Sequence, residues 1–211
     1  MAELKPALNT GLADSIEGLK VDLACGVGLR LGYTGVDAQS LDAIFPDGKV
    51  PEEYEGYVQH NLFEMPWPFE DDSVDAVFSS HFVEHIPHYH PNWGADRDGW
   101  WVFWEELWRV VKDGAVIEVL HPFSRSDRAF WDPTHVRFIH YQTWFYLSRE
   151  HRIQLGVNHY APDIDFEVVS IQSTQEPALL EGRSESALEF ARSFYFNPAE
   201  DLFVVLKAIK S

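Results

Sequence analysis

Three groups of residues have the types and spacing that chemistry needs. The first is Asp22-Leu23-Ala24-Cys25-Gly26-Val27-Gly28, an apolar run that ends in two glycines one residue apart. Glycines at such a corner let the backbone approach a bound cofactor where a Cβ would collide. Asp37 then closes a second apolar run, where its carboxylate can accept hydrogen bonds from both hydroxyls of a ribose. Alone, the glycines are any turn and the acid is a solvated strand end; together they read as a nucleotide site. The second group is Ser79-Ser80-His81 at the end of a later strand, where Ser79 and His81 can face that pocket. Asn61-Leu62 comes before it and can recognise an adenine edge through the Asn side chain and the Leu62 backbone. Asn61 can equally stabilise its own turn. The third group follows another strand: His121, then Asp132, His135 and Arg137. Asp132 can orient His135 as a proton acceptor, and Arg137 can hold a carboxylate or phosphate. The alternative is an Asp-Pro-Thr turn in which His135 and Arg137 satisfy loop carbonyls.

The elements that must position these groups are short strands alternating with crossovers. Strands are predicted at 20–25, 33–37, 57–62, 74–79, 115–121, 166–173 and 202–209. A helix is predicted over 97–112, because Trp100, Phe103, Trp104, Leu107, Trp108 and Val111 recur at three-to-four spacing; Asp113-Gly114 ends it. A second helix fits 142–150, and a helix or loop fits 185–196. Residues 122–140 lack periodicity and read as a lid. Glu118 is a polar intrusion in an otherwise apolar strand. Only eight residues separate Gly28 from Asp37, too few for a long helix between the first two strands. The pattern predicts one α/β domain over 1–211: a Rossmann-like, doubly wound, seven-stranded, mostly parallel sheet with a shortened first crossover and a loop or lid after strand five.

Composition narrows the function. The charge is −18, with 34 acidic residues against 16 Lys and Arg, and no basic run offers itself to a phosphate backbone, which argues against nucleic acid as a partner. With one cysteine, Cys25, no intramolecular disulfide can form. The stretch from Met1 to Leu19 has no apolar core, so neither a signal peptide nor a membrane partner is expected, and the cytoplasm is the expected location. Trp93, Trp100, Trp101 and Trp104 read as core packing, with an aromatic wall or homodimer burial as alternatives. His81, His85, His88 and His90 raise the question of a metal, but Pro87 breaks any helix that would align them, so no metal is expected.

Taken in order, these motifs resemble the class I S-adenosylmethionine-dependent methyltransferases, in particular the methyltransferase type 11-like domains. The resemblance rests on Asp22 to Gly28, Gly35-Val36-Asp37, Met65 to Asp75, Val83-Glu84-His85-Ile86 and Leu107 to Gly114. It implies S-adenosylmethionine as cofactor and a strand order of 3-2-1-4-5-7-6. It also implies that Gly26 and Gly28 approach the methionine portion, that Asp22 lies near its amino group, and that Ala24 belongs to the cofactor-binding set. Asp37 would hold the ribose, Asn61 and Leu62 would meet adenine, and Ser79 would border the pocket. The sequence departs from the family at Asn61, where Asp is usual, at Asp113, where Gly is usual, and in its short first crossover. A dinucleotide oxidoreductase would need a third nearby glycine, and Leu29-Arg30-Leu31 follows Gly28 instead. The expected reaction is methyl transfer to oxygen on a small-molecule or sugar-like substrate. A nitrogen acceptor on a small molecule or protein, and a noncatalytic binding subunit, are the alternatives.

Overall fold

The computed structural model describes residues 12–13, 15–94, 96–174 and 182–210. Most of the stretch from Met1 to Leu19 lies outside the described residues. Seven strands form one sheet: β1 (Lys20–Leu23), β2 (Thr34–Asp37), β3 (Val58–Gln59), β4 (Val74–Ser80), β5 (Val111–Pro122), β6 (Phe166–Ser173) and β7 (Asp201–Ala208). Their order is β3-β2-β1-β4-β5-β7-β6. The first five pair in parallel, and β7 runs antiparallel between β5 and β6. The carboxyl ends of the parallel strands therefore meet along one edge. Ligands of open α/β sheets bind beyond such an edge.

Five helices accompany the sheet among the described residues: α1 (Leu41–Ile44), α2 (Gly99–Val110), α3 (Arg128–Trp131), α4 (Arg149–Gln154) and α5 (Glu185–Phe194). None is long and apolar enough to cross a membrane. α2 starts where the Asp98 side chain accepts from Trp100 N at 2.8 Å, a cap that satisfies one orphan donor of the first turn. Its apolar face buries Trp100, Phe103, Trp104, Leu107 and Val110 in the main core. Trp104 lies 5.5 Å, centroid to centroid, from both Trp100 and Trp144, so these tryptophans pack the core. Gly99 is required: a Cβ there would stand 2.1 Å from the Pro87 carbonyl oxygen.

The structure moves several expected boundaries. α2 ends at Val110, before Asp113-Gly114, because Val111 already pairs with Val74; Gly114, at φ +78°, lies inside β5 where the register against β4 shifts. The expected helix over 142–150 is instead a 3₁₀ segment, Tyr141–Leu147, followed by α4. β3 shrinks to two residues. Residues 122–140 contain α3, and their return is tied down where Ser124 N donates to Ile139 O at 3.1 Å. No helix occupies 24–33, so the first crossover is an irregular loop.

Candidate cofactor and acceptor site

The bend after β1 is held at every turn. Ala24 has φ +57° and Gly26 φ +48°. A non-glycine residue in the left-handed region is uncommon and marks a chain over-determined by its surroundings. Here Ala24 N and Cys25 N both donate to Val36 O, at 2.8 and 3.3 Å, which fastens the bend to β2. Gly26 N donates to Asp37 Oδ2 at 3.1 Å, and Gln39 N donates to Oδ1 at 3.0 Å. The acid and the glycine corner are thus in contact. Gly35 is as necessary as the bend itself, since a Cβ there would stand 2.8 Å from Cys25 Sγ. Burial pushes the Cys25 thiol up to about 12, so it stays neutral in the wall of the bend.

Two tyrosines absent from the sequence reading do what a crossover helix would otherwise do. Tyr54 Oη donates to Gly26 O at 2.7 Å and accepts from Leu29 N at 3.2 Å. Tyr57 Oη donates to Asp37 O at 3.1 Å. Arg30 completes the brace. Its backbone N donates to Asp22 Oδ2 at 2.8 Å, and its Nη1 reaches Glu118 Oε2 at 2.5 Å while the guanidinium lies over Tyr33 and Phe78. The polar intrusion in β5 is therefore one half of an ion pair, buried completely on the Glu118 side. Asp22 is 2% exposed, and burial pushes its carboxyl up to about 7 against the lowering effect of Arg30.

At Asn61 and Leu62, the residues expected to meet adenine, the Asn61 side chain serves its own turn: Oδ1 accepts from Phe63 N at 3.0 Å, and Nδ2 donates to Glu64 Oε1 at 3.5 Å. Leu62 is buried, and its carbonyl accepts from Trp67 Nε1 at 3.1 Å. Ser79 is buried at the end of β4, with Oγ 3.5 Å from Leu23 O.

The acceptor-side expectations divide. His81 turns out of β4 with φ +53°, held by its N–H to Leu120 O at 2.8 Å. Its Nδ1 lies 3.5 Å from Glu84 Oε1, and its Nε2 lies 4.0 Å from Asp201 Oδ2. Asp201 in turn accepts from Arg128 at 2.6 Å; burial, the leading cause, raises its carboxyl against the lowering pull of His81 and Arg128. His121 is fully buried, contrary to a role in touching substrate. Its Nδ1 donates to Pro122 O at 2.9 Å and its Nε2 accepts from Trp144 Nε1 at 3.1 Å; burial pushes its pKa down to about 4 and keeps the ring neutral. Asp132 does not orient the His135 ring. It accepts from Thr134 N at 2.8 Å and Thr134 Oγ1 at 2.6 Å, while His135 Nδ1 donates to Ala129 O at 3.0 Å. Arg137 is also spent inside the fold: Nε donates to Ile86 O at 2.6 Å, and Nη2 to Pro87 O at 2.9 Å and Asp98 Oδ1 at 2.8 Å.

Sequence reasoning missed Tyr54, Tyr57, Arg30, Glu84, Asp201 and Arg128. Only Glu118 carried a usable signal, because a lone acid in a buried strand demands a partner. A separate cleft of about 880 Å³ lies between β6, the 3₁₀ segment and α5, lined by Phe123, Arg125, Tyr141, Phe145 and Ile171 among others. It contains no residue of the glycine bend.

Comparison with known proteins places this geometry. The methyltransferase-domain family matches residues 21–119, which span β1 to β5 and so contain the whole bend. No curated protein sequence matches the chain. Among solved structures, an S-adenosylmethionine-dependent methyltransferase from Archaeoglobus fulgidus superposes with a TM-score of 0.55 at 20% identity, covering 90% of this chain and 86% of that one. One from Mesorhizobium loti gives 0.54 at 13% identity, covering 91% and 92%. A chain of the Haloferax volcanii complex between the Trm112 methyltransferase activator and its methyltransferase gives 0.53 at 16% identity, covering 92% and 85%. At these identities the likeness is one of fold.

Proposed function

Since residues 21–119 form a methyltransferase domain and the chain has the class I, S-adenosylmethionine-dependent methyltransferase fold, we propose that this enzyme methylates an oxygen of a small, sugar-like acceptor. The observation that carries the cofactor half is the contact between Asp37 and Gly26, 3.1 Å across the edge of the sheet. Bound S-adenosylmethionine supplies an electrophilic methyl on a sulfonium. The protein is left to hold, align and dehydrate the reactants.

In this reading Asp37 accepts from the ribose hydroxyls with the lone pairs that Gly26 N and Gln39 N leave. Asp22 sits toward the amino group and Ser79 borders the pocket. A Cβ on Gly26 would meet nothing within 4 Å, so the bend opens outward, and Ala24, Gly26 and Gly28 present backbone there. With the Asn61 side chain engaged locally, the Leu62 backbone is the group left to read adenine. Residues 122–140 serve as the acceptor-side segment of a single domain.

His81 takes the acceptor's proton in place of His135. It is 35% exposed against 8% for His135, and it stands between two buried carboxylates, those of Glu84 and Asp201. The two acids flank the imidazole, and Nε2 receives the proton of the attacking hydroxyl. Phe130 and Phe138, stacked at 4.6 Å and each half-exposed, offer a flat apolar platform on the acceptor-side segment. That pairing suits a small polar ring better than a long polymer.

Calorimetry with S-adenosylmethionine tests the first half. Saturable binding is expected, with Asp37→Ala at least about tenfold weaker, since hydrogen bonds to a charged group contribute about 1.5–3 kcal/mol. Release of S-adenosylhomocysteine with panels of hydroxyl-, amine- and thiol-bearing small molecules tests the second. His81→Asn should lower turnover on the hydroxyl compounds by about 10²–10⁴-fold at unchanged cofactor affinity. Turnover confined to amines or thiols would overturn the oxygen assignment, and no saturable heat would overturn the whole reading.

A further inference from the structure

Glu84 presents a problem that methyl transfer does not solve. Its side chain is 2% exposed, and neither carboxylate oxygen has a hydrogen-bond partner. A buried, unpaired carboxylate is costly. The groups facing it are imidazoles: His135 Nε2 at 3.8 Å and His81 Nδ1 at 3.5 Å from the same oxygen, Oε1. One nitrogen each from His85 and His135, together with a Glu84 oxygen, lie within 4.8 Å of one another.

Both histidines are oriented through their Nδ1 atoms. His135 Nδ1–H donates to Ala129 O, so Nε2 presents a lone pair toward Glu84. His85 Nδ1 lies 3.1 Å from Thr134 Oγ1, and that hydroxyl donates onward to Asp132 Oδ1 at 2.6 Å. The Thr134 oxygen is therefore an acceptor for His85 Nδ1–H. Metal-bound histidines are typically held this way, their second nitrogen donating to a carbonyl or to a carboxylate relay. The backbone fixes the two halves together: Val136 N and Arg137 N both donate to Glu84 O, at 3.0 and 3.1 Å. The Arg137 side chain clamps the next two carbonyls, those of Ile86 and Pro87.

The Glu84 oxygens have no donor, and His135 Nε2 turns a lone pair toward them, so a cation between the two would satisfy both. We propose that Glu84, His85 and His135 form a binding site for a divalent transition-metal ion. Two imidazoles and one carboxylate suit zinc and its neighbours better than magnesium or calcium, and this three-ligand set leaves a coordination position open. Zinc bonds of 2.0–2.2 Å place ligands about 3.4 Å apart in a tetrahedron, so from separations within 4.8 Å a contraction of no more than about 1.4 Å completes the site. The ion would lie beside His81, on the acceptor side of the sheet edge. Sequence spacing hid the arrangement, because its ligands come from two segments fifty residues apart rather than from one run of histidines.

The inference does not rest on methyl transfer, and its test uses no S-adenosylmethionine. Chelator-stripped full-length protein is titrated with zinc against a chromophoric competitor, and with cobalt(II) to follow d–d absorption. One equivalent is expected to bind at micromolar dissociation constant or tighter, with a four- or five-coordinate cobalt spectrum. Glu84→Gln and His135→Ala should weaken binding at least hundredfold, Thr134→Val about 10–100-fold, and His159→Ala, an exposed histidine elsewhere, not at all. Urea midpoints of the metal-free variants near that of the parent establish that the loss is local. No stoichiometric binding, or binding that survives both Glu84→Gln and His135→Ala, would overturn the proposal.

Discussion

Asp22 lies beneath the glycine bend, 2% exposed, with Arg30 N donating to it at 2.8 Å. Burial raises its carboxyl from 3.8 to about 7, so the folded protein without cofactor favours the neutral acid below pH 7. A cationic amino group brought to Asp22 selects the ionised form. Binding must then expel whatever proton Asp22 holds. With a pKa near 7, about half of the molecules are ionised at pH 7 and about one-tenth at pH 6, so affinity for S-adenosylmethionine should fall about fivefold over that unit. The cofactor's own α-amino group, which ordinarily titrates near 7.7–8.0, stays largely protonated throughout and does not mask the effect. Calorimetry at pH 6 in two buffers of different ionisation enthalpy should report release of about 0.9 proton per site, and about 0.5 at pH 7. Asp22→Asn should bind more weakly at pH 7 and lose the pH dependence. Buffer-independent heats, with affinity constant within 1.5-fold, would refute the placement of Asp22 against the amino group. The same shift fixes a sign for stability: the folded state is penalised as pH rises from 3.8 through 7, because unfolding frees the carboxyl to ionise.

Two further substitutions probe how the bend is held. Arg30→Met leaves Glu118 without the Arg30 cation, and such removals cost about 3–5 kcal/mol; urea unfolding should show this loss, and Arg30→Met with Glu118→Leu should recover most of it. A single-variant cost below about 1 kcal/mol would mean that the ion pair is not maintained. Tyr54→Phe deletes the hydroxyl that joins Gly26 O to Leu29 N, and cofactor affinity should fall about fivefold to tenfold with a small change in urea midpoint. An unchanged dissociation constant would show that the bend keeps its shape without the tyrosine.

The sequence made legible whatever is local or periodic. The strand at Val21, the acid at Asp37 and the helix seeded by Trp100 to Leu107 follow from spacing, whereas the strand order comes from the resemblance to the methyltransferase family. What spacing could not reach was pairing across the sheet. Asp132 and His135 look like partners because only two residues separate them, yet Thr134 engages the Asp132 carboxylate and the Ala129 carbonyl takes the His135 Nδ1–H. Arg137 looks like an anion hook, but the carbonyls of Ile86 and Pro87, with Asp98, claim it from roughly forty to fifty residues away. His121 ends an apolar strand, and nothing in the sequence shows that Trp144 will occupy its outer nitrogen.

The short crossover explains most of what went unread. A helix between β1 and β2 would brace the bend with backbone hydrogen bonds and would leave a periodic trace. Loop 24–33 leaves none, and the bracing passes to single side chains drawn from distant segments: Tyr54 on Gly26, Tyr57 on Asp37, and Glu118 on Arg30. The two tyrosines are isolated polar residues with no sequence signature, Glu118 shows only that it needs a partner and not which one, and each acts on a different part of the bend. Asp37 and the glycine corner therefore depend on the segment before β3 and on the middle of β5 as well as on their own strands. Substitutions at Tyr54 or Glu118 reach the bend from outside it, because no helix stands in between.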